Sequence, residues 1–505
     1  MKYLYGAAVQ GIQNFIFQTD RLRDVAGASE LVAHICTKAF STMLGKRWKE
    51  SNQIISAAGN IKYVFNNESD CQYAVRHFPM TVMTTAPGIT VSQAVVAFAE
   101  DEKDFCKIVF ELEDKLRTGR NLPSLPVTVG LLGMERSRHT GLPAVEDMKD
   151  GLIDASTKAK QDKCNTRGLC QKSFFGDYGP ALDPKRIAYE VEDITGRNDW
   201  IAVIHADGNS LGQVVQVVGH DPECFRRFSK ALDAATVRAA NGAFKAISER
   251  IGDGIIPIRP VVLGGDDMTV IIRGDLAIPY VTEYLRRFEQ YTGEGEMGKI
   301  LAQGRQGKGV FPEGKNHLSA CAGVAFVKSS YPFHYAYQLA EQLCEESKRV
   351  AKQALAETDG RKALCKSCLM FHKVEDSFVT SYADIVRRVL MTDAGKSLKF
   401  GPYYINSYDL SATDVPEGSI TIDRLMELCD RLGSEEGVKT GIRRWLSLLH
   451  ANDGRDRQHL QRLQKNNESD SSARQLITQL TQTRHGAVAA YDALTLFTIM
   501  NQETK

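Results

Sequence analysis

The sequence predicts an α+β protein: two split βαβ units in series, followed by a helical region. Three observations predict it. An apolar strand–turn–strand pattern occurs twice, and residues 54–65 align without gaps on residues 261–272. Each copy follows an apolar strand and a long helical stretch. Beyond about residue 411 the apolar spacing turns helical and stays so.

In the first unit, a strand over 4–9 ends in Gln10-Gly11 and leads to a helical stretch over 12–44. The hairpin of 54–65 follows, then a strand over 88–98, a helix over 101–116 and a strand over 127–132. In the second unit, a strand over 201–206 ends in Asp207-Gly208 and is followed by a helix over 222–251. Its hairpin, 256–273, precedes a helix (276–291), a strand (317–328), a helix (333–355) and a strand (364–372). Strand, helix, hairpin, helix, strand is the plan of ferredoxin-like and palm domains, with helices covering one face of an antiparallel sheet. The expected division is a first palm over 1–150, a connector over 151–195, a second palm over 196–400 and a helical domain over 401–505. Glycines in 292–315 suggest a mobile insertion near the site. The last region reads as helices over 422–432, 437–451, 456–465, 473–480 and 486–500.

Composition excludes some function classes. A net charge of +1 over 505 residues gives no global field for nucleic acid or an anionic membrane. The chain enters an apolar strand at Tyr3 without a signal-peptide pattern, and no apolar run is long enough to span a bilayer. The 11 cysteines are scattered, with Cys36, Cys106, Cys321 and Cys344 in apolar contexts, which fits a reducing cytoplasm.

The second hairpin turns at Gly264-Gly265-Asp266-Asp267. Adjacent carboxylates repel, so a fold keeps them at a hairpin tip with solvent or a cation. Glycines before them permit close approach of a phosphate. The first unit serves as an internal control: it has Ala57-Ala58-Gly59-Asn60 at the turn and Gln10 at the strand end. The hairpin pattern is thus kept without acids, and all three carboxylates occur together in the second unit. The fold would bring Asp207 beside Asp266 and Asp267, a hard-oxygen set suited to two magnesium or manganese ions. Gly208, Asn209, Ser210 and Leu211 open toward a helix, where backbone amides would cradle phosphates. Lys348 is either a phosphate contact or a solvated helix lysine.

These residues carry a resemblance. The strand from Ile201 to Asn209, the Gly-Gly-Asp-Asp turn, Ser319 to Ala325 and the stretch from Pro332 to Lys348 resemble the catalytic palm of the large polymerase/cyclase subunit of type III CRISPR systems. Val9 to Ile16 and Asp24 to Ser29 resemble that family's degenerate first palm. The resemblance spans roughly residues 1–375. It implies synthesis of cyclic oligoadenylate, or a related cyclic messenger, from ATP in antiviral defence. It also implies effector-complex subunits and guide or target RNA as partners; a homodimer pairing palms is the alternative.

Many members begin with an HD nuclease domain, whereas this chain begins in the first palm, so DNA cleavage is not expected. The only His-Asp pair, His220-Asp221, reads as a helix N-cap. The family commonly binds zinc between its palms. Cys164, Cys170, Cys365 and Cys368 offer one zinc reading, against which the spacing and strand context favour buried thiols. Arg443, Arg444 and the arginines of 455–462 make the C-terminal region locally basic, as a solvated bundle face or a docking surface for a subunit or RNA backbone. Two other functions fit the residues: a diguanylate-cyclase-like enzyme using GTP, and a scaffold subunit that binds nucleotide without turnover.

Overall fold

Two apolar cores, one on each face, hold the first sheet. In the computed structural model, β1 (Lys2–Gln10) lies between β3 (Asn60–Phe65) and β4 (Thr90–Phe98), and β2 (Gln53–Ala57) flanks β3, giving an antiparallel order β2-β3-β1-β4. Successive β1 residues serve opposite faces. Tyr5 joins Phe40, Tyr63 and Phe78 in the large core, while Leu4 joins Val64, Val96, Phe105 and Leu112 in a second one. Both faces of this sheet are therefore covered, where the sequence suggested cover on one. The helix Phe105–Arg120 covers the second face, and Phe225 of the helix Pro222–Ile251 reaches into the same cluster. The structure describes all residues except 58, 101–103, 122–132, 149–150, 166, 196–198, 219–220, 309–316, 360–365, 377–380, 393–394, 407–414, 452, 484–485 and 501–505. The strand expected over 127–132 lies outside the described residues.

After a two-stranded ribbon, β5 (Ala144–Met148) with β6 (Gly151–Asp154), the chain enters the second sheet. Its order is β12-β11-β10-β7-β9-β8, with β7 (Trp200–Gly208), β8 (Ile258–Gly264), β9 (Asp267–Arg273), β10 (Ala320–Lys328), β11 (Cys368–Lys373) and β12 (Tyr403–Tyr404). Strands β10 and β11 run parallel; the other neighbours are antiparallel. Eight of the nine β10 residues are buried, as a strand covered on both faces requires.

The hairpin repeat is built in one register. Ala57 pairs with Asn60 as Gly264 pairs with Asp267. The strand-end correspondence differs from the sequence reading. Ala7 pairs with Ile61 and Ala8 with Asn60, whereas Ala206 pairs with Met268. Counting from the hairpin, Ala8 and not Gln10 stands where the second unit has Asp207. The sequence comparison was anchored on the glycine that follows each strand, and β1 runs two residues farther past its hairpin. The two units also pack reciprocally: the helix Leu22–His34 lies against β8, and Pro222–Ile251 lies against β2.

The segment expected as a mobile insertion contains a helix, Gly295–Lys308, that packs on Gly274–Gly293. Met297, Ile300 and Leu301 are buried, an i, i+3, i+4 stripe that the glycines obscured. Residues 309–315 of that segment lie outside the described set. The stretch expected as one helix over 12–44 is broken into Ile12–Ile16, Leu22–His34, a π-helical turn Ile35–Ala39 and Phe40–Leu44. Asp221 caps the helix Pro222–Ile251 by accepting from the Cys224 amide at 2.9 Å, and His220 lies outside the described residues.

Near the C-terminus are the helices Ile422–Ser434, Glu436–Ala451, Arg455–Asn466, Ser471–Thr481 and Ala490–Met500. Among the described residues no helix is long and apolar enough to cross a membrane. The last helix meets the second sheet at Asp492, whose Oδ2 accepts from the Tyr403 hydroxyl of β12 at 2.5 Å. Burial pushes the Asp492 carboxyl up to about 7, although the Tyr403 hydrogen bond opposes the shift. An unfolded aspartate titrates near about 3.9, so between about pH 4 and pH 7 the folded chain holds a proton that the unfolded chain has lost. This contribution to stability is present in full below pH 4 and is lost as pH rises through 7. Asp492→Asn should therefore raise the thermal midpoint above that of the wild type at pH 8 and leave it nearly unchanged at pH 4, as read by calorimetry at both values.

Candidate active site

The site is assembled from the C-terminal end of β7 and the β8–β9 turn. Asp207 is the penultimate residue of β7, Asp266 lies in the turn and Asp267 opens β9. One carboxylate oxygen from each falls within 4.8 Å of the other two. Among the described residues they are the one cluster of three or more potential metal ligands.

Two glycines make this possible. Gly265 has φ +62°, which sets the tight turn. Gly208 provides the close approach that the sequence assigned to Gly264 and Gly265: a Cβ there would sit 2.9 Å from the Asp266 Cβ and 2.7 Å from Leu211 Cδ1. The turn is held from behind by the helix Pro222–Ile251. Thr236 Oγ1 donates to the Gly265 carbonyl at 2.6 Å, and Asp233 Oδ1 accepts from the Gly265 amide at 3.2 Å. No local pattern marks Thr236 or Asp233, because both act across some thirty residues of chain.

Electrostatics distinguishes the three acids. Burial, then the charges of Asp267 and Asp207, push Asp266 well above the usual carboxylate range. Burial and the Asp207 charge push Asp267 up to about 7. Asp207 goes the other way: burial opposes ionisation, but the Lys348 ammonium and hydrogen bonds from Asp266 and Lys348 hold its carboxyl below normal. Lys348 donates to Asp207 Oδ2 and, at 3.0 Å, to the Gly208 carbonyl. It is thus a partly buried lysine of the site itself, and the solvated reading is set aside. His205, one alternation back on β7, is lowered to about 4 by burial and is neutral at ordinary pH. Its Nδ1 lies 3.1 Å from Thr269 Oγ1.

The expected phosphate cradle is only partly open. The Asn209 amide donates to the Ser319 carbonyl at 2.8 Å, and its Nδ2 to Ser319 Oγ at 3.0 Å. Asn209 is fully buried and latches the loop to the start of β10, so its amide is not free for a phosphate. Ser210 adopts φ +56° at the turn into the helix Leu211–Val218. Beside the aspartates a cavity of about 140 Å³ lies between the units, lined by Asp267, His205 and Tyr337 and by Gln13 and Gly59 of the first unit. Gln13 Nε2 bridges the Tyr337 hydroxyl at 2.8 Å and Glu341 at 2.9 Å, and Phe17 stacks on Tyr337.

Among the described residues the candidate zinc ligands form no cluster of three or more. Cys164 is buried at the end of the helix Ala155–Lys163, and Cys170 is buried in Gly168–Phe175. Cys368 sits on β11 with its sulfur 3.5 Å from that of Cys321. Cys365 lies outside the described residues.

Comparison with known proteins places this sheet. Residues 200–356 match the family described as Cas10/Cmr2, second palm domain. This region of the chain is similar to a Cas10/Cmr2 second palm. The matched region runs from β7 into the helix Phe333–Asp359, and so includes Asp207, the Gly-Gly-Asp-Asp turn and Lys348. No curated protein sequence matches the chain. Among solved structures, a Csm1–Csm4 cassette in complex with pppApA matches at TM-score 0.55 and 15% identity, over 99% of this chain and 69% of that one. A cassette in complex with cA4 matches at TM-score 0.52 and 13% identity, over 99% and 70%. Csm1 of T. onnurineus matches at TM-score 0.50 and 15% identity, over 99% and 70%. The Cas10/Cmr2 palm has a nucleotidyl cyclase- and polymerase-like fold, and at these identities the structural likeness bears on the fold alone.

The close approach at Gly208 makes that residue decisive for the acids. Gly208→Ala should force Asp266 away from Asp207 and weaken Mn²⁺ binding, measured by electron paramagnetic resonance, by about tenfold or more. The far-UV circular dichroism should stay unchanged.

Proposed function

We propose that the chain is a metal-dependent nucleotidyltransferase that makes cyclic oligoadenylate, or a related cyclic nucleotide messenger, from ATP. The observation that carries this reading is the asymmetry of the two units. One hairpin end holds Asp207, Asp266 and Asp267 with Lys348 against them; the corresponding places in the other hold Ala8, Gly59 and Asn60. A fold keeps three mutually repelling, partly buried carboxyls in one place when a cation compensates them.

The residues fit magnesium or manganese. All three offer hard oxygen, and the raised affinity of Asp266 and Asp267 for protons is what burial and repulsion produce when only Lys348 supplies opposing charge. Asp207 and Asp266 would hold the ions, with Asp267 completing the set or orienting the attacking hydroxyl. Bound there, divalent ions supply Lewis-acid stabilisation to an α-phosphate under in-line attack by a ribose hydroxyl. The chain's own groups do the rest. Gly208 lets the carboxyls converge, Thr236 and Asp233 fix the turn, and Lys348 stands ready to exchange Asp207 for a phosphate oxygen. His205 stays uncharged behind the site and so does not compete for the carboxylates. The cavity beside Asp267 gives the first unit a wall of the substrate pocket.

Fold relatives bearing cA4, cA3 and pppApA support adenylate as the substrate class. Relatives solved together with Csm4 support a subunit of that kind as a partner. The exposed arginines of the C-terminal helices are offered as its docking surface or that of RNA. The two-palm division with a C-terminal helical domain, 1–150, 151–195, 196–400 and 401–505, is part of this proposal, as is a cytoplasmic location.

The test is incubation of the purified chain with each NTP and Mg²⁺ or Mn²⁺, with and without RNA, followed by mass spectrometry. ATP should yield oligoadenylate, and Asp266→Ala with Asp267→Ala should abolish it while the protein stays folded. Undiminished product from that double variant overturns the assignment. Consumption of GTP alone would favour the diguanylate-cyclase-like alternative, and no turnover with any NTP would favour the scaffold.

A further inference from the structure

On the far side of the metal-site turn lies a second concavity, about 500 Å³ in volume. That is within the range of roughly 300–1,000 Å³ typical of small-molecule sites. Its floor is the helix Pro222–Ile251, its one wall the edge strand β2 and its other wall the loop 175–179. It shares no lining residue with the cavity beside Asp267.

The loop is built rigidly. Gln171 Nε2 donates to the carbonyls of Gly176 and Pro180, both at 3.1 Å, and its Oε1 accepts from the Leu182 amide at 2.8 Å. Asn241 of the helix secures the loop's root, donating to the carbonyls of Lys172 and Ser173 at 2.8 Å. What this scaffold presents is Tyr178, which is wholly exposed at the rim. An aromatic ring held in water on a pinned loop loses little entropy when something stacks on it.

The floor supplies complementary charge. Lys230, Ala234 and Arg238 fall at i, i+4 and i+8, one stripe of the helix with a small residue between two cations. Arg238 is already oriented, its guanidinium 3.9 Å from the centre of the Tyr291 ring. Lys230 is exposed and pairs with Glu50 at 3.1 Å. A flat aromatic rim, two cations on the floor and neighbouring amide and carboxylate groups (Gln53, Asp177 and Asp233, the last paired with Lys172) match a heteroaromatic base with a phosphate.

We propose that this groove binds a purine nucleotide, with the base on Tyr178 and the phosphate on Arg238 and Lys230, and that its occupancy is felt at the metal-site turn. The link is Asp233, which lines the groove, accepts from the Gly265 amide, and pairs at 3.1 Å with Lys172 at the root of the loop. The groove uses none of the three aspartates, so this proposal stands or falls separately from their catalytic role.

The test is photoaffinity labelling of the full chain carrying Asp266→Ala and Asp267→Ala, in chelator, with 8-azido-ATP, followed by peptide mapping. Label should appear on the peptides containing Tyr178 and residues 229–241, and Tyr178→Ala or Arg238→Ala should cut it about tenfold or more without changing the circular dichroism. Stronger displacement by ATP assigns the site to substrate; stronger displacement by linear oligoadenylate assigns it to product. Label absent from those peptides, indifferent to both substitutions, or displaced only by long single-stranded RNA overturns the proposal.

Discussion

Three carboxyl groups share one end of the second sheet, and two of them, Asp266 and Asp267, are made harder to ionise by burial and by their acidic neighbours. Burial raises the proton affinity of Asp266 and Asp267, and the neighbouring charges add to it. Asp207 stays ionised because Lys348 lies against it. Much of the surrounding structure answers to this repulsion. Gly208 removes a side chain from the space into which Asp266 must come, and Gly265 bends the chain where a side chain would be strained. Thr236 and Asp233 clamp the turn from the helix behind it. The lysine reaches in from the middle of the helix Phe333–Asp359.

The first unit shows the same hairpin free of that constraint. It pairs Ala57 with Asn60 in the register of Gly264 with Asp267, and it carries no acid at the three positions. In place of chemistry it gives surface: Gln13 and Phe17 fasten onto Tyr337, and Gly59 and Gln13 line the cavity beside Asp267. Reciprocal packing of helix on hairpin edge joins the two sheets, and the groove under Tyr178 lies at one of these contacts.

What was legible in the sequence was local or periodic. The repeated hairpin, the acids at its second tip and the C-terminal helices are written in short windows, and the structure builds them within a few residues of those windows. Contacts that cross the chain left no local trace. Gln13 meets Tyr337 across 324 residues, and Lys348 meets Asp207 across 141. The equivalence of Ala8 with Asp207 is a matter of sheet register, which the glycine after each strand misreports by two residues. The helix Gly295–Lys308 was hidden because its glycines read as loop while its apolar stripe is only three residues wide. Asn209 read as a phosphate donor because its neighbours did, and only the position of Ser319 shows its amide already engaged.

The central claim is that the fold tolerates these acids at a cost that a divalent cation removes. The direct measurement is the thermal midpoint of the wild type and of Asp266→Asn with Asp267→Asn, each in chelator and in Mn²⁺. In chelator the double variant should melt above the wild type, since the repulsion is gone. In Mn²⁺ the wild type should gain stability and the variant should not. Equal midpoints in chelator, together with no manganese effect on the wild type, would contradict the account.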